Sequence, residues 1–351
     1  MIIRQLYLIG AASLRLPVQV PFSKITGVNM KYTQALRRWL TITTLALPIA
    51  AAAFPDKPIE WVVPYPAGGG SDVVARILSV PMGKTLGQPI IINNKPGAAT
   101  NIGADYAAKA KPDGYVMLTG DTATLATNPA LYSKLSYNVE KDFAPVGLMA
   151  RFPMILVVNP SVPAKNLTEF LAWARKQPTG VNYATPGAGS PHHLATELFR
   201  EVSGLKLVHV AYRGAAPAVQ DVIGGQVPFM FVDTASGYQH ILSGRLIAIG
   251  VASPKRIASF STVATLAEQG LKGFEAYAWQ GLVVPAGTPP EAVAALGKAL
   301  LAALETTEVK ARFQTLGLEA IPSTPAQMGA YAKSERDKWA KVIRVSNIRL
   351  D

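Results

Sequence analysis

The sequence predicts an α/β protein of two lobes joined by a two-strand hinge, on three observations. Short β-rich runs alternate with stretches of helical periodicity, an order typical of largely parallel sheets covered by helices. The 351 residues are enough for two domains. No stretch rich in Gly, Ser and Pro separates the two series of elements as a flexible linker. We therefore expect the chain to pass between the lobes through strands.

The first 53 residues have the pattern of an export signal. They hold six basic residues and no acidic one, half of the formal net charge of +12. A basic segment follows Met30, the apolar residues 39–49 come next, and three alanines end at Ala53. The apolar stretch is too short to span a bilayer of about 30 Å. We expect translation to begin at Met30, which makes 1–29 an upstream extension, and cleavage after Ala53 to release an exported protein.

Composition excludes several classes of function. An apolar fraction of 49% with 16% charged residues indicates a globular core. The absence of Cys excludes disulfides, cysteine metal sites and thiol nucleophiles. Basic residues after position 53 are scattered without interleaved aromatic residues, which argues against nucleic-acid binding. The four His have no metal-ligand spacing, so we expect neither a metal nor a cofactor.

The first series of elements begins with a strand at residues 59–63. A cluster of glycines leads from it into a helix, which Pro81 is expected to kink or end. The pattern then predicts a buried strand over 89–92, a helix over 102–110 and strands over 115–119 and 155–158.

The second series begins with a helix capped by Asn166. It continues with strands at 181–184, 207–210 and 228–232 and helices at 190–202 and 216–223. Later strands are expected at 247–251 and 281–284, and helices from residue 288 and over 325–345. The apolar runs 155–159 and 281–285 are interpreted as the crossing strands. Residues 54–154 with 280–351 would then form lobe 1, and residues 155–279 would form lobe 2.

Each series contains a glycine-rich loop between a strand and a helix. The loop at 64–72 has three successive glycines, whose N–H groups, with the helix dipole, suit an anion. It lacks the Lys of a P-loop and the spacing of a dinucleotide fingerprint. The loop at 185–193 offers Ser190 as a helix cap before Pro191. Alone, each loop can equally be a tight turn; one in each lobe predicts a shared ligand cleft.

Other polar residues after strands have two interpretations each. Asp121 and Asp233 can receive a ligand ammonium or hydroxyl, or cap a loop. Arg213 can bind a carboxylate with both guanidinium nitrogens or be solvated. Ser190 beside His193 suggests a hydrolase, but the segment is not a G-x-S-x-G elbow. We therefore predict no catalytic residue.

Short motifs run in order through residues 65–289. They are YPAGGGSD at 65–72, NKPGA at 94–98 with NIG at 101–103, KPDGY at 111–115, NPALY at 128–132, DFAPV at 142–146, GAGS at 187–190 with HL at 193–194, YRG at 212–214 and PAGTP at 285–289. In number and order these motifs resemble the periplasmic substrate-binding proteins of tripartite tricarboxylate transporters, the Bug receptors, over essentially the whole chain after residue 53.

The resemblance implies a type II periplasmic-binding fold whose lobes close over a small carboxylate. It implies a monomeric, non-enzymatic receptor that delivers its ligand to membrane permease subunits. A sensing receptor that serves a signalling partner without transport, and an exported Ser hydrolase, are the alternatives.

The resemblance also implies which residues contact the ligand. Loop 65–70 with segment 121–123 would hold one end, and loop 185–190 with His193 the other, while Asp233 faces the cleft. The expected ligand-binding residues are Tyr65, Pro66, Ala67, Gly68, Gly69, Gly70, Asp72, Asp121, Thr122, Ala123, Thr185, Gly187, Gly189, Ser190, His193, Tyr212, Arg213, Gly214 and Asp233.

Overall fold

A computed structural model describes residues 54–351, and these form one mixed sheet covered by helices. The predicted signal peptide and upstream extension lie outside the described residues. The strands are β1 (Ile59–Val63), β2 (Ile90–Asn94), β3 (Val116–Asp121), β4 (Phe143–Val158), β5 (Val181–Thr185), β6 (Leu207–Ala211), β7 (Phe229–Asp233), β8 (Ile247–Val251), β9 (Tyr277–Pro285) and β10 (Glu319–Ala320).

The helices fill the connections between these strands. The α-helices are α1 (Gly70–Leu86), α2 (Asn101–Ala108), α3 (Asn128–Leu131), α4 (Val139–Asp142), α5 (Leu167–Arg175), α6 (Pro191–Ser203), α7 (Ala215–Ile223), α8 (Thr234–Leu242), α9 (Pro290–Glu305), α10 (Thr307–Thr315) and α11 (Pro325–Val345). A π-helical turn, Thr122–Thr127, follows β3. Within residues 54–351, no helix is both long and apolar enough to cross a membrane.

The sheet consists of two parallel groups joined by antiparallel strands. The order is β2-β1-β3-β9-β4-β7-β5-β6, and β8 and β10 also pair with β4. Strand β1 is parallel to both β2 and β3, and β5 is parallel to both β6 and β7. Strands β9 and β4 lie between the groups and pair antiparallel to their neighbours. The α/β alternation predicted from the sequence accounts for both parallel groups.

Strand β4 lies between the two groups and has different partners along its length. Its first part pairs with β9 from Phe143 to Pro153, whereas Met154 to Val158 pair with β7 and β8. The sequence pattern identified only residues 155–158, because Pro145, Gly147 and two register shifts interrupt the earlier part. Strand β9 pairs with β3 and with the first part of β4. The chain therefore changes pairing partners at Met154, and the lobe boundaries given above stay a prediction.

Helix α1 does not end at Pro81, which was one of the two outcomes expected from the sequence. The helix continues through Pro81 to Leu86 and stops at Gly87, whose φ of 70° is left-handed. Proline removes one backbone hydrogen bond, but Val74, Leu78 and Met82 on the same helix are fully buried. Burial of this apolar face maintains the helix beyond the proline.

Strand β2 corrects a second expectation. The sequence predicts a buried strand, but β2 lies at one end of the strand order and pairs only with β1. Ile91 is 57% exposed. A continuous apolar run therefore marks an edge strand here, which periodicity alone does not distinguish from a central one.

Candidate functional site

The last residues of β3 and β7, one strand from each parallel group, lie near the middle of β4. Strand β3 ends at Asp121, which is opposite Gln280 of β9, and Gln280 is opposite Ala150 of β4. Strand β7 ends at Asp233, opposite Met154 of β4. Four residues of a strand span roughly 13 Å. The polar loops that follow the strands of the two groups therefore emerge close to one segment of β4.

The glycine loop between β1 and α1 is exposed from Pro66 to Gly70. Asp72 fixes its shape: Oδ2 accepts hydrogen bonds from Gly68 N at 2.8 Å and Arg76 Nε at 2.8 Å. Its Oδ1 accepts one from Asn94 Nδ2 at 2.9 Å. Burial alone would raise the pKa of Asp72, but these hydrogen bonds and the guanidinium lower it. Asp72 is thus a buried anchor of the loop.

The N-terminus of α1 lies at this loop. Its N-cap, Gly69, has no side chain, and no other side chain caps the helix. The first hydrogen bond of the helix runs from Val73 N to Gly69 O, so the N–H groups of Gly70 and Ser71 point out of the helix end. Such N–H groups and the helix dipole favour a negative charge.

Tyr65 and Asp121 meet beside this loop. The Tyr65 hydroxyl donates to Asp121 Oδ2, and Thr124 N donates to Asp121 Oδ1 at 2.9 Å. Asp121 is only 4% exposed, and burial raises its pKa. The neighbouring Thr122 is also engaged, because its Oγ1 accepts from Trp279 N at 2.9 Å, and Ala123 is buried. The structure therefore brings the 65–70 and 121–123 segments together.

Three residues at this edge, Ser71, Phe152 and Gln280, were not among the ligand-binding residues expected from the sequence. Gln280 Nε2 donates to Ser71 Oγ at 2.6 Å. The ring of Phe152 lies 3.4 Å from where a side chain on Gly70 would begin. The sequence did carry a signal for Gln280, because it is the single amide in the apolar run of β9. A polar side chain inside a buried strand normally has a hydrogen-bond partner.

The loops after β5 and β6 form one surface in the second group. Tyr212 N donates to Thr185 O, and Gly214 N donates to Pro186 O, each at 2.9 Å. A Cβ on Gly187 would lie 3.6 Å from Tyr212 O. The predicted segments 185–190 and 212–214 are therefore adjacent.

His193 is occupied within this surface. Gly189 N donates to His193 Nδ1 at 3.0 Å, and the His193 ring stacks on His209 at 3.9 Å between centroids. Burial, followed by the proximity of His209, lowers the pKa of His193 to about 4. Ser190 Oγ accepts from His193 N at 3.2 Å and caps α6. The His193 ring thus binds the Gly189 N–H, and the Ser190 hydroxyl binds the His193 backbone N–H. In a catalytic pair, the serine hydroxyl would instead be hydrogen-bonded to the histidine ring.

The groups open to a ligand lie at the start of α7. Its N-cap, Gly214, has a φ of 111° and, as in α1, no side-chain cap. Arg213 immediately before it is exposed. The Tyr212 hydroxyl is already engaged, since it donates to Asp221 Oδ2 at 2.8 Å, and its pKa is raised to about 12 by burial and by Asp221. Within the predicted set, Arg213 and Gly214 are the groups best placed to meet an anion here.

Asp233 is a cap that also binds a histidine. Its Oδ1 accepts from Ser236 N at 2.9 Å, and its Oδ2 lies 2.9 Å from His192 Nε2. Burial opposes its ionisation, but His192 and Ser236 lower the pKa of Asp233. Both Asp121 and Asp233 therefore follow the capping alternative considered from the sequence. In the described chain, no three His, Asp or Glu side chains lie close enough to hold a metal ion.

A mixed sheet with two parallel strand groups whose loops meet at a central strand is typical of two-lobed solute-binding proteins. A family model described as "Tripartite tricarboxylate transporter family receptor" matches residues 74–348. The chain belongs to this receptor family, which includes the Bug proteins, and the resemblance predicted from the motifs is confirmed.

Two curated relatives cover most of the chain. The UPF0065 protein in the tcbD-tcbE intergenic region of Pseudomonas sp. (strain P51) is 37% identical over 83% of this chain and 87% of its own length. Protein BugT of Bordetella pertussis is 34% identical over 87% of this chain and 94% of its own length.

Solved structures confirm the predicted fold class. Rpa4515 of R. palustris, solved with adipate, is 31% identical with a TM-score of 0.77, covering 84% of this chain and 99% of its own. The periplasmic binding protein BugD is 34% identical with a TM-score of 0.74, covering 84% and 99%. MatC of Rhodopseudomonas palustris, solved with malate, is 33% identical with a TM-score of 0.73, covering 83% and 100%.

Proposed function

We propose that this protein is a periplasmic receptor that binds a small carboxylate between two lobes and delivers it to the permease of a tripartite tricarboxylate-type transporter. One observation carries the proposal. The uncapped N-termini of α1 and α7 belong to the two strand groups that converge on β4. Each supplies N–H groups that favour a negative charge, so a molecule with two anionic ends suits the pair.

In this proposal the lobes comprise residues 54–154 with 280–351, and residues 155–279. Bending of β4 at Met154, where its partners change, and of the neighbouring strand β9 lets one lobe close on the other. A ligand favours the closed form only through contacts with both lobes. Two relatives support the ligand class, since their structures hold adipate and malate, both dicarboxylates.

The proposal assigns no catalytic step to the site. Ser190 accepts a backbone hydrogen bond and His193 Nδ1 receives the Gly189 N–H, so neither is arranged to activate the other. The basic and apolar segments before residue 54 support export through a cleaved signal peptide. The name of BugD, a periplasmic binding protein, supports the same compartment.

A thermal-shift screen of organic acids on ligand-stripped protein tests the binding proposal. Saturation at about 100 times Kd adds roughly 2.7 kcal/mol, which raises Tm by about 5 °C or more. We expect Arg213→Gln to weaken binding of the stabilising acid about tenfold through loss of a charge-assisted hydrogen bond.

Arg175→Gln is the matched control, because Arg175 is exposed at the end of α5, away from the loops. Equal loss of affinity in the two variants would show that Arg213 does not bind the ligand. A screen without any stabilising acid would reject the carboxylate receptor. Uptake of the stabilising acid by cells with and without the gene tests delivery, and separates transport from sensing alone.

A further inference from the structure

Gln280 is buried where a ligand carboxylate would meet α1. It lies on the central strand β9, between Asp121 on one side and Ala150 on the other, and is 5% exposed. Directly paired residues of neighbouring strands place their side chains on the same face of the sheet. The Gln280 amide therefore lies beside Asp121 on the face that carries Ser71.

The amide of Gln280 is only half satisfied. Its Nε2 donates to Ser71 Oγ at 2.6 Å. Among residues 54–351 its Oε1 has no hydrogen-bond partner, although that oxygen is buried. A buried carbonyl oxygen without a donor is unfavourable and is normally paired in a finished site. The missing partner is therefore a hydrogen-bond donor.

The donors around Asp121 are committed to other acceptors. The Tyr65 hydroxyl and Thr124 N both donate to Asp121, and the Thr122 hydroxyl donates to Trp279 O at 3.3 Å. Asp121 already accepts a hydrogen bond at each of its two oxygens. The Ser71 hydroxyl accepts from Gln280 and keeps its own proton to donate.

The pair Ser71 and Gln280 thus offers one donor and one acceptor side by side. A hydroxyl group satisfies both, since it accepts one hydrogen bond and donates another, whereas an ammonium can only donate. Ser71 also contributes an N–H at the end of α1. A carboxylate bound at that N–H places its neighbouring carbon next to the Ser71–Gln280 pair.

We propose that Gln280 determines specificity by accepting a hydrogen bond from a hydroxyl on the carbon beside the ligand carboxylate. The receptor then selects 2-hydroxy acids over the same acids without the hydroxyl. This inference rests on the proposed function, because it needs a carboxylate at the start of α1.

Calorimetric titration with matched acids tests this specificity. The pairs are malate and succinate, 2-hydroxyglutarate and glutarate, lactate and propionate, and mandelate and phenylacetate. For whichever pair binds, we expect the hydroxy acid to bind wild-type protein at least about tenfold more tightly, because a site built for a hydroxyl rejects the analogue that lacks it. In Gln280→Met the preference should fall below about threefold, while affinity for the plain acid is retained.

Ser71→Ala is a second variant, chosen because Ala suits a helix start without disturbing the core. It should also reduce the preference, through loss of the hydroxyl donor and of the anchor for Gln280. Gln239→Met, an exposed amide on α8, is the control and should keep the wild-type ratio.

The outcomes separate the two proposals. Binding of no acid by wild-type protein rejects the proposed function and this inference together. Equal binding of both members of a pair, or an unchanged ratio in Gln280→Met and Ser71→Ala, rejects the role of Gln280 alone. Preference for aspartate over succinate that Gln280→Met abolishes would show that the residue reads an ammonium, and would overturn selection of the hydroxyl.

Discussion

The stacked rings of His193 and His209 couple the second glycine loop to pH. The rings lie 3.9 Å apart and nearly parallel, and His209 Nε2 lies 2.6 Å from Thr185 Oγ1. Burial also lowers the pKa of His209. Protonation of either ring would place a charge inside a buried stack. The folded loop therefore favours the neutral form of both rings, and lowering the pH destabilises this fold.

Lowering the pH should destabilise the protein through His193. Its pKa is about 4 in the folded protein against an ordinary 6.5. Between these values the unfolded chain binds a proton that the folded chain does not, so stability falls as pH drops from 6.5 towards 4. From pH 7.5 to pH 5 the loss from this group is about 2 kcal/mol.

Denaturant unfolding at both pH values measures this effect. His193→Gln carries no titratable ring and should show a loss between the two pH values that is smaller by about that amount. Identical losses in the variant and in wild-type protein would contradict the assignment to His193.

The aspartates show how far residue-level prediction extends. The sequence singled out Asp72, Asp121 and Asp233, each with a ligand-binding and a capping interpretation. It left open which oxygens are free, because a short carboxylate binds the nearest backbone N–H and that choice depends on the loop conformation. The structure has these carboxylates accept from Gly68, Thr124 and Ser236. Their partners from distant elements, such as Asn94 and His192, have no local sequence signal.

At the scale of elements, the β1–loop–α1 unit combines a fixed backbone with an open helix end. Asp72 holds Gly68, whose φ is +82°, while Gly69 has extended backbone with φ of −76° and ψ of 167°. A Cβ on Gly69 would lie 3.5 Å from Pro66 O, an ordinary contact. Position 69 therefore accepts a side chain without strain, while position 68 does not.

Gly69→Leu should consequently fold but bind poorly. The leucine side chain would cover the N–H groups at the start of α1, and we expect at least a tenfold rise in Kd, about 1.4 kcal/mol, with Tm changed by only a few degrees. Titration with the stabilising acid and a melting curve measure the two effects.

Gly297→Ala is the control, because a Cβ on this α9 residue meets Val146 O at an ordinary 3.7 Å. Wild-type affinity in a folded Gly69→Leu variant would exclude the loop from the site.

Elements were predictable where local pattern and burial agree. The strand–loop–helix units around β1, β5 and β6 follow from apolar runs bounded by glycine and proline. Helix α8 was not predicted, because Asp233 was interpreted as part of a loop; it is the N-cap that starts this helix. The first part of β4 was not predicted as a strand, because Pro145 and Pro153 argue against a strand in local sequence. Both prolines lie within the pairing with β9.

At the scale of the whole molecule, contacts beyond the strands also join the two groups. Thr234 Oγ1 at the start of α8 donates to Gly317 O, after α10, at 2.7 Å. A Cβ on Gly189 would lie 2.8 Å from Leu131 and 2.7 Å from Leu350. Neither contact has a signal in local sequence, because each depends on how distant segments meet.

These contacts and the shared strand predict cooperative unfolding. Because β4 pairs with β9 and β10 over its first part and with β7 and β8 over its second, unfolding of either side of the sheet removes about half of its partners. We expect residues 54–351 to unfold in one calorimetric transition, with a van't Hoff enthalpy close to the calorimetric one. Two resolved transitions would mean that the groups are independent folding units.

The shared strand also limits how such receptors can be recombined. In proteins built from consecutive domains, a specificity can be moved by exchanging one uninterrupted stretch of sequence. Here the segment from Met154 to Ala276 is continuous with β4 at one end and with β9 at the other, so an exchanged half must match a relative at two internal strand junctions. New specificities in this scaffold are therefore more accessible by changing loops and single positions such as Gln280 than by exchanging halves.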